Sequence, residues 1–438
     1  MTPAASLPVA GGEASDPARV LEEPRSVLIG YAGTGKSWFA KAWAESDPSV
    51  VLAATTGIAA TNLGTGTTLN ALLGYFDTAS LVQAYTAGFL GAKLMKLWKS
   101  GVTRILLDEV SMLDAEQLTV VTRALDELDA RGDEGEGTPR IRLTLIGDFC
   151  QLPPVKAAFA FESPSWPRYA EHLHRLTEIR RQTDRDFIHA LHAARKGDPD
   201  PVCDFFGPHL VPLADQHFDG TTIVATNEAV DRINGLRMDK LPTPGSIYTA
   251  RRWGKQRGDW KQIPDQLLLK PDALVMILAN KRAPVGVGGP PLVYANGDLG
   301  HIRELTDEGA WVTLVRTGED VFVDFITRPN TIPLEPGRRK TLTEEGEEWR
   351  IVKTTKSEII GTVGYLPLRA AWASTVHKAQ GLSFDTVQVS THEGMFRQPG
   401  LLYVALSRAR TQAGLRLVGS VDGLRARCTV DPRVRPWL

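Results

Sequence analysis

Lys36, Ser37, Asp108, Glu109 and Gln151 are the residues whose types and spacing could carry chemistry. Lys36 and Ser37 close the run Gly30-Tyr31-Ala32-Gly33-Thr34-Gly35-Lys36-Ser37, which fits the pattern G-x-x-x-x-G-K-[ST]. A loop of this kind turns its backbone N–H groups inward, and the helix that follows adds a favourable potential for anions. Gly30, Ala32, Gly33, Thr34 and Gly35 therefore read as a phosphate cradle. Lys36 can reach the β- and γ-phosphates, and the Ser37 hydroxyl can ligate Mg²⁺. Asp108 and Glu109 end a second apolar run, Ile105-Leu106-Leu107. Asp108 can hold Mg²⁺, usually through water, and Glu109 can take a proton from an attacking water. Gln151 follows a third apolar run, where a neutral amide can sense the γ-phosphate. These residues predict a nucleoside triphosphate site that uses Mg²⁺.

Such groups must be held at the ends of strands. Val27 to Ile29 reads as a strand leading into the loop, with a helix from Trp38 to Glu45 after it. Val50 to Ala54, Ile105 to Glu109 and Ile141 to Ile146 read as further strands. Leu118, Val121, Leu125 and Leu128 recur at spacings of three and four, which predicts one buried helix face. Alternating strands and helices predict an α/β fold with a parallel sheet covered on both faces, and ligands in such sheets lie at the carboxyl ends of the strands. A second α/β region begins near Arg180, with a helix around Phe187 to Leu191, a strand at Thr222 to Ala225 and a helix from Glu228 to Met238. It resumes after Leu366, with Leu401 to Leu406 and Leu415 to Val418.

Between these halves, residues 298–364 change to short alternating runs, Trp311 to Val315 and Val321 to Ile326, parted by a turn. That texture predicts a small inserted antiparallel barrel or sheet. Residues 1–24 read as a loosely ordered tail and 132–139 as an acidic, glycine-rich loop. Residues 72–100 read as an insertion bearing the exposed aromatics Tyr75, Phe76, Tyr85 and Phe89, then a basic helix from Lys93 to Lys99.

Composition narrows the function classes. With 438 residues there is room for two to four domains. A formal net charge of −1 means that a polyanion would have to be met by a local basic channel. Cys150, Cys203 and Cys428 are far apart, so neither a disulfide framework nor a zinc site is expected. No apolar run reaches about 18 residues, and the N-terminus lacks a basic start with an apolar core. The expected location is cytoplasmic or nucleoid-associated, without membrane contact.

Three segments carry a family resemblance: Gly30 to Ser37, Leu107-Asp108-Glu109-Val110-Ser111-Met112-Leu113-Asp114, and Gly147-Asp148-Phe149-Cys150-Gln151-Leu152-Pro153-Pro154-Val155. They resemble the Pif and Dda branch of superfamily 1 DNA helicases, related to RecD. Further segments extend the likeness in order: Arg181-Gln182 with Phe187, Ala225-Thr226-Asn227 with Asn234, Ala371 to Gly381, and Leu402 to Ala409. The resemblance covers roughly residues 25–420.

It implies two RecA-like domains, 25–180 and 181–297 with 365–438, with ATP between them and single-stranded DNA across their tops. It further implies an SH3-like insert at 298–364 and a strand-separating wedge or pin within about 72–100; a packed helical insertion fits 72–100 equally well. Carried over to matching positions, Lys36 and Ser37 bind phosphate and Mg²⁺, Asp108 holds Mg²⁺ and Glu109 activates water. Gln151, Gln380 and Gly381 face the γ-phosphate region, and Arg181 and Arg408 resemble arginine fingers from the opposite domain. Thr56, Gly57, Thr68, Asn70, Asn227, Thr375, His377 and Lys378 are the expected DNA contacts, Asn70 standing where relatives commonly have histidine. The glutamine-bearing segment that reads adenine in relatives is not evident before the loop. The implied activity is an ATP-dependent helicase, acting as a monomer, moving 5′ to 3′ on single strands and at junctions with duplex. A translocase that remodels strands without unwinding, and a non-catalytic DNA-binding module, are the other readings of the same motifs.

Overall fold

The computed structural model of the chain describes residues 20–56, 59–60, 63, 67–130, 140–212, 214–215, 218, 220–256, 260, 263–279, 281–282, 292–294, 297–333, 337–343, 346–352, 357–391 and 398–438. The chain separates into two compact units, Met1–Ile233 with Trp372–Leu438, and Asn234–Ala371.

The first unit contains two parallel sheets. One consists of β1 (Arg25–Gly30), β2 (Val50–Ala54), β3 (Arg104–Asp108), β4 (Arg142–Gly147) and β5 (Leu173–Leu176), in the order β2-β3-β4-β1-β5. Every pairing among them is parallel. β1 and β3 are buried along their whole length, so their middles, Val27-Leu28-Ile29 and Ile105-Leu106-Leu107, are consecutive apolar residues instead of alternating ones. Helix α1 (Lys36–Ser46) follows the glycine loop, and α2 (Leu69–Leu73), α3 (Thr78–Thr86) and α4 (Phe89–Lys99) lie between β2 and β3. Helix α5 (Ala115–Ala130) buries Leu118, Val121, Leu125 and Leu128, the face that the periodicity predicts.

The second sheet takes the order β8-β7-β9-β10-β6, from β6 (Leu210–Val211), β7 (Thr221–Val224), β8 (Ala373–Thr375), β9 (Val387–Ser390) and β10 (Leu415–Val418). It too is parallel throughout. Its helices include α6 (Arg185–Lys196), α7 (Pro199–Phe206), α8 (Asn227–Asp239), α9 (Val376–Ala379), α10 (Leu401–Leu406) and α11 (Val421–Arg427). Asp184 and Asp198 cap α6 and α7 by accepting backbone N–H bonds. α10 is buried at all six residues, which keeps the segment just before Arg408 inside the unit.

The second unit is antiparallel among its described strands. Asp320–Asp324, Gly309–Leu314, Leu299–Thr306, Leu274–Ile277 and Leu368–Ala370 form one sheet in that order. Its β structure extends beyond 298–364, because Leu274–Ile277 and Leu368–Ala370 pair into the same sheet. The turn expected between Val315 and Val321 is present, with Gly318 at φ +70°. Residues 132–139 lie outside the described residues.

Two readings need correction. Residues 20–23, assigned to the loose tail, pack onto the first sheet: Val20 is fully buried with Leu28 and Leu106, and its carbonyl accepts the Ser26 hydroxyl. Tyr75, read as exposed, is only 4% accessible, whereas Phe76 and Phe89 are 68% and 71% exposed. Tyr75 follows the left-handed Gly74 that ends α2, and the turn points its ring inward. Tyr85 donates its hydroxyl to Glu127 on α5. The insertion is thus a helical layer against α5.

Candidate nucleotide and nucleic-acid site

The glycine loop is set by backbone geometry that few residues accept. Gly33 and Gly35 have φ of +86° and +85°, the left-handed region that favours glycine. A Cβ on Gly33 would meet the Arg181 Cβ at 2.8 Å, and Gly33 O accepts the N–H groups of Arg180 and Arg181. The loop therefore touches the arginine segment through its backbone. Lys36 Nζ donates to the Gly30 and Tyr31 carbonyls at 2.8 Å each. Burial pushes its ammonium pKa down, against the attraction of Asp148, Glu109 and Asp108.

Across from the loop, Ser37 donates its hydroxyl to Asp108 Oδ2 at 2.6 Å, and Asp108 Oδ1 accepts the Glu109 N–H at 2.8 Å. A hydroxyl beside a carboxylate at the mouth of a phosphate loop is an all-oxygen donor set, and it fits Mg²⁺. Glu109 sits at φ +58°, a conformation that costs a non-glycine residue energy and is held by its surroundings. Burial first, then the Asp108 carboxylate, pushes the Glu109 pKa up to about 7. Gln380 Nε2 donates to Glu109 Oε2 at 3.0 Å and to Gln151 Oε1 at 3.3 Å, so both glutamines and the candidate base form one buried group.

Arg181 and Arg408 enter the same cleft. With Lys36, Asp108 and Glu109 they line a cavity of about 450 Å³, whose wall also includes Gln151, Gly381, Trp38 and Arg180. Arg181 donates to Ser407 O at 3.0 Å, and Arg408 donates to the Val404 and Leu382 carbonyls and to the Ser407 hydroxyl. Burial, then Arg181, pushes the Arg408 pKa down to about 9. The buried Arg408 guanidinium and the half-buried Arg181 on one cavity wall form a site that favours a multiply charged anion.

Further residues tie the cleft together, Asp148 and Tyr403 from inside the segments that carry the resemblance and Arg195 from outside them. Tyr403 accepts the Ala32 N–H at 2.9 Å and donates to Asp148 Oδ2 at 3.0 Å. Asp148 is bonded by Arg195, which also donates to Trp437 O at 2.8 Å. Burial alone would raise the Asp148 pKa, but Arg195 and Lys36 hold it below the ordinary range. Trp38, 63% exposed at the cavity mouth, is a flat apolar surface beside the loop. Its signal was its place directly after Ser37; Tyr403 and Arg195 are distant in sequence, and only folding brings them in.

Among the predicted DNA contacts, Thr56 and Thr375 lie at strand ends of the two parallel sheets. Thr56, two residues past β2, accepts the Ala59 N–H, and Thr68 accepts the Ala71 N–H at the start of α2. Thr375 ends β8, is buried, and caps α9 by accepting the Lys378 N–H. All three hydroxyls thus accept the backbone N–H three residues on, as capping side chains do. Asn70 donates its amide to Phe76 O, which closes the turn after α2. Asn227 is exposed at the start of α8, and His377 is half-buried with its pKa lowered by burial. Gly57 lies outside the described residues.

Comparison with known proteins gives a consistent assignment. An AAA domain family matches residues 17–209, and a UvrD-like helicase C-terminal domain matches 370–415. The chain is 31% identical to the ATP-dependent DNA helicase PIF1 of Homo sapiens over 95% of this chain and 61% of that protein. The likeness to the Pif1 helicase of Psychrobacter is 26%, over 90% of this chain and 66% of the relative. The chain thus spans about three-fifths of the length of the human relative. Among solved structures, Pif1 helicase from Candida albicans superposes with a TM-score of 0.73 at 25% identity, covering 95% of both chains. Pif1 from Bacteroides in complex with ADP-AlF3 and ssDNA gives 0.66 at 26% identity, over 95% of this chain and 93% of the other. Motifs in the family's order, on two parallel sheets that share one cleft, make the chain similar along nearly its whole length to Pif1 helicases of superfamily 1.

Proposed function

We propose that this chain is an ATP-dependent DNA helicase, a motor that walks on single-stranded DNA and unwinds duplex ahead of it. The observation that carries the reading is the cleft in which Lys36, Glu109, Arg181 and Arg408 line one cavity. The glycine loop and Lys36 bind the triphosphate, with Gln151, Gln380 and Gly381 toward its γ end. Ser37 and Asp108 would hold Mg²⁺, which when bound neutralises charge on the phosphate oxygens. Glu109 in its ionised form takes the proton of the attacking water, and Gln380 orients its carboxylate. Charge gathers on the γ-phosphoryl oxygens in the transition state, and Arg181 and Arg408 stabilise it as fingers.

In this reading, 25–180 is one RecA-like lobe and the parallel-sheet parts of the second region, 181–233 with 372–438, are the other, the antiparallel strands of 234–297 and 365–371 belonging instead to the inserted unit, and closure of the cleft is coupled to hydrolysis. Thr56, Gly57, Thr68, Asn70, Asn227, Thr375, His377 and Lys378 line the strand track and grip phosphate through small polar groups and helix N-termini, without reading sequence. The exposed rings of Phe76 and Phe89 make the 72–100 layer the candidate wedge, and 298–364 supplies an SH3-like insert. Movement is 5′ to 3′, the active form is a monomer, and the compartment is the cytoplasm or the nucleoid. Among the described residues no helix is long and apolar enough to cross a membrane. The test is DNA-stimulated ATP hydrolysis together with displacement of duplexes carrying 5′ or 3′ single-stranded tails. Displacement of the 5′-tailed duplex alone is expected; hydrolysis without displacement of either would reduce the chain to a translocase.

A further inference from the structure

We propose that the outward face of the three-stranded sheet in the second unit is a stacking platform for unpaired bases of single-stranded DNA, separate from the eight track residues; it rests on the DNA-motor reading above. The sheet places Ser357–Tyr365 between Ile326–Pro333 and Arg251–Gly254. Its register sorts residues into two faces. Arg252, Val363 and Arg328 are cross-strand neighbours on the inner face, where Val363 packs with Trp260 and Tyr365. Arg252 there bonds Asp265 and the Ile263 carbonyl, and the Arg328 guanidinium lies over the Tyr365 ring.

The alternate positions face outward as two rows, Trp253-Thr362-Pro329 and Arg251-Gly364-Thr327. Trp253 is 60% exposed there, an unusual position for so large an apolar ring unless it has a partner. A Cβ placed on Gly364 would find no atom nearer than 3.6 Å, so packing does not require glycine at that point. Its effect is to keep the floor beside the indole flat. Arg251 is the one charge among the six outward positions, and the described residues 250–256 carry three basic side chains and no acidic one. A flat floor, one exposed indole and a guanidinium are what base stacking on a polyanionic strand needs: a π-face for any base and a cation for its phosphate.

The experiment measures binding of a fluorescent dT20 oligonucleotide to the full chain by anisotropy across a salt series. Trp253→Ala is expected to weaken binding about 5- to 50-fold, with Trp253→Phe restoring most of it. Arg251→Gln is expected to lower the slope of log affinity against log salt by about 1. DNA-independent ATP hydrolysis retained by each variant reports an intact fold. Wild-type binding of dT20 with Trp253→Ala binding equally well would overturn the platform and leave the motor reading standing. Failure of the wild-type chain to bind dT20 at all would overturn both.

Discussion

The Tyr403 hydroxyl accepts the backbone N–H of Ala32, so a side chain from α10 closes the glycine loop. The same oxygen donates to Asp148, which Arg195 holds in turn. Tyr403→Phe removes both bonds in a dry site, where each unpaired buried group costs about 1–3 kcal/mol. The expected result is a lower unfolding temperature by calorimetry and a higher KM for ATP. An unchanged value of both would show that the hydroxyl neither stabilises nor positions the loop.

Lys36→Ala is expected to abolish hydrolysis, by at least about 100-fold, while the circular dichroism spectrum stays that of a folded chain. The lysine is buried against its own loop carbonyls, and its removal deletes the cation that the proposed function assigns to the phosphates. Near-normal turnover in this variant would take the glycine loop out of the reaction.

For Arg408→Ala, ATP affinity by equilibrium binding should stay within a few-fold of wild type while turnover falls by about 10³. Arg181→Ala should also lower turnover, and, because it borders Gly33, should affect affinity more than Arg408→Ala does. Equal turnover in wild type and Arg408→Ala would end the finger assignment.

Glu109 gives a pH signature. Its folded pKa is raised from the ordinary value of 4.5 to about 7, so the neutral form persists through the mildly acidic range. Hydrolysis that needs the carboxylate should climb as pH rises through about 7. The linkage runs the other way for stability, since a raised carboxyl pKa favours the fold below pH 4.5 and that contribution is lost as pH rises through 7. Glu109→Gln should therefore raise the unfolding temperature at pH 8, by about 2–4 °C, and change it little at pH 4.5. A gain at low pH instead would contradict the buried-charge account.

The wedge can be separated from the motor. Phe76→Ala with Phe89→Ala should lower strand displacement several-fold and leave DNA-stimulated ATP hydrolysis near wild type, since both rings are exposed and outside the cavity. A parallel loss of hydrolysis would mark them as part of the fold instead.

Much of the nucleotide cleft was legible because its chemistry is local. The loop pattern, the carboxylates after β3 and Gln151 after β4 each follow an apolar run by a fixed short distance, and parallel sheets place such residues at one edge. Arg181 and Arg408 were reachable only through resemblance, since a lone arginine has no periodic signature. Asp148, Arg195 and Tyr403 went unread for a different reason: their importance comes from burial and from one another, and pairwise sequence separation hides that. Tyr75 and Phe76 are adjacent aromatic residues, yet the turn after Gly74 sends the more polar one inside and leaves the other out. The capping bonds of Thr56, Thr68 and Thr375 were not legible, because they depend on where short helices begin.

The last residues of this chain also belong to its interior. The Trp437 ring lies within 5.4 Å of the rings of Phe149, Phe161 and Trp166, and its carbonyl holds Arg195. Cutting away 432–438 would therefore wet an aromatic cluster directly behind Asp148 and loosen the guanidinium that steadies it. Damage at the far terminus would surface as a nucleotide-handling defect, through a route that never touches the cavity wall.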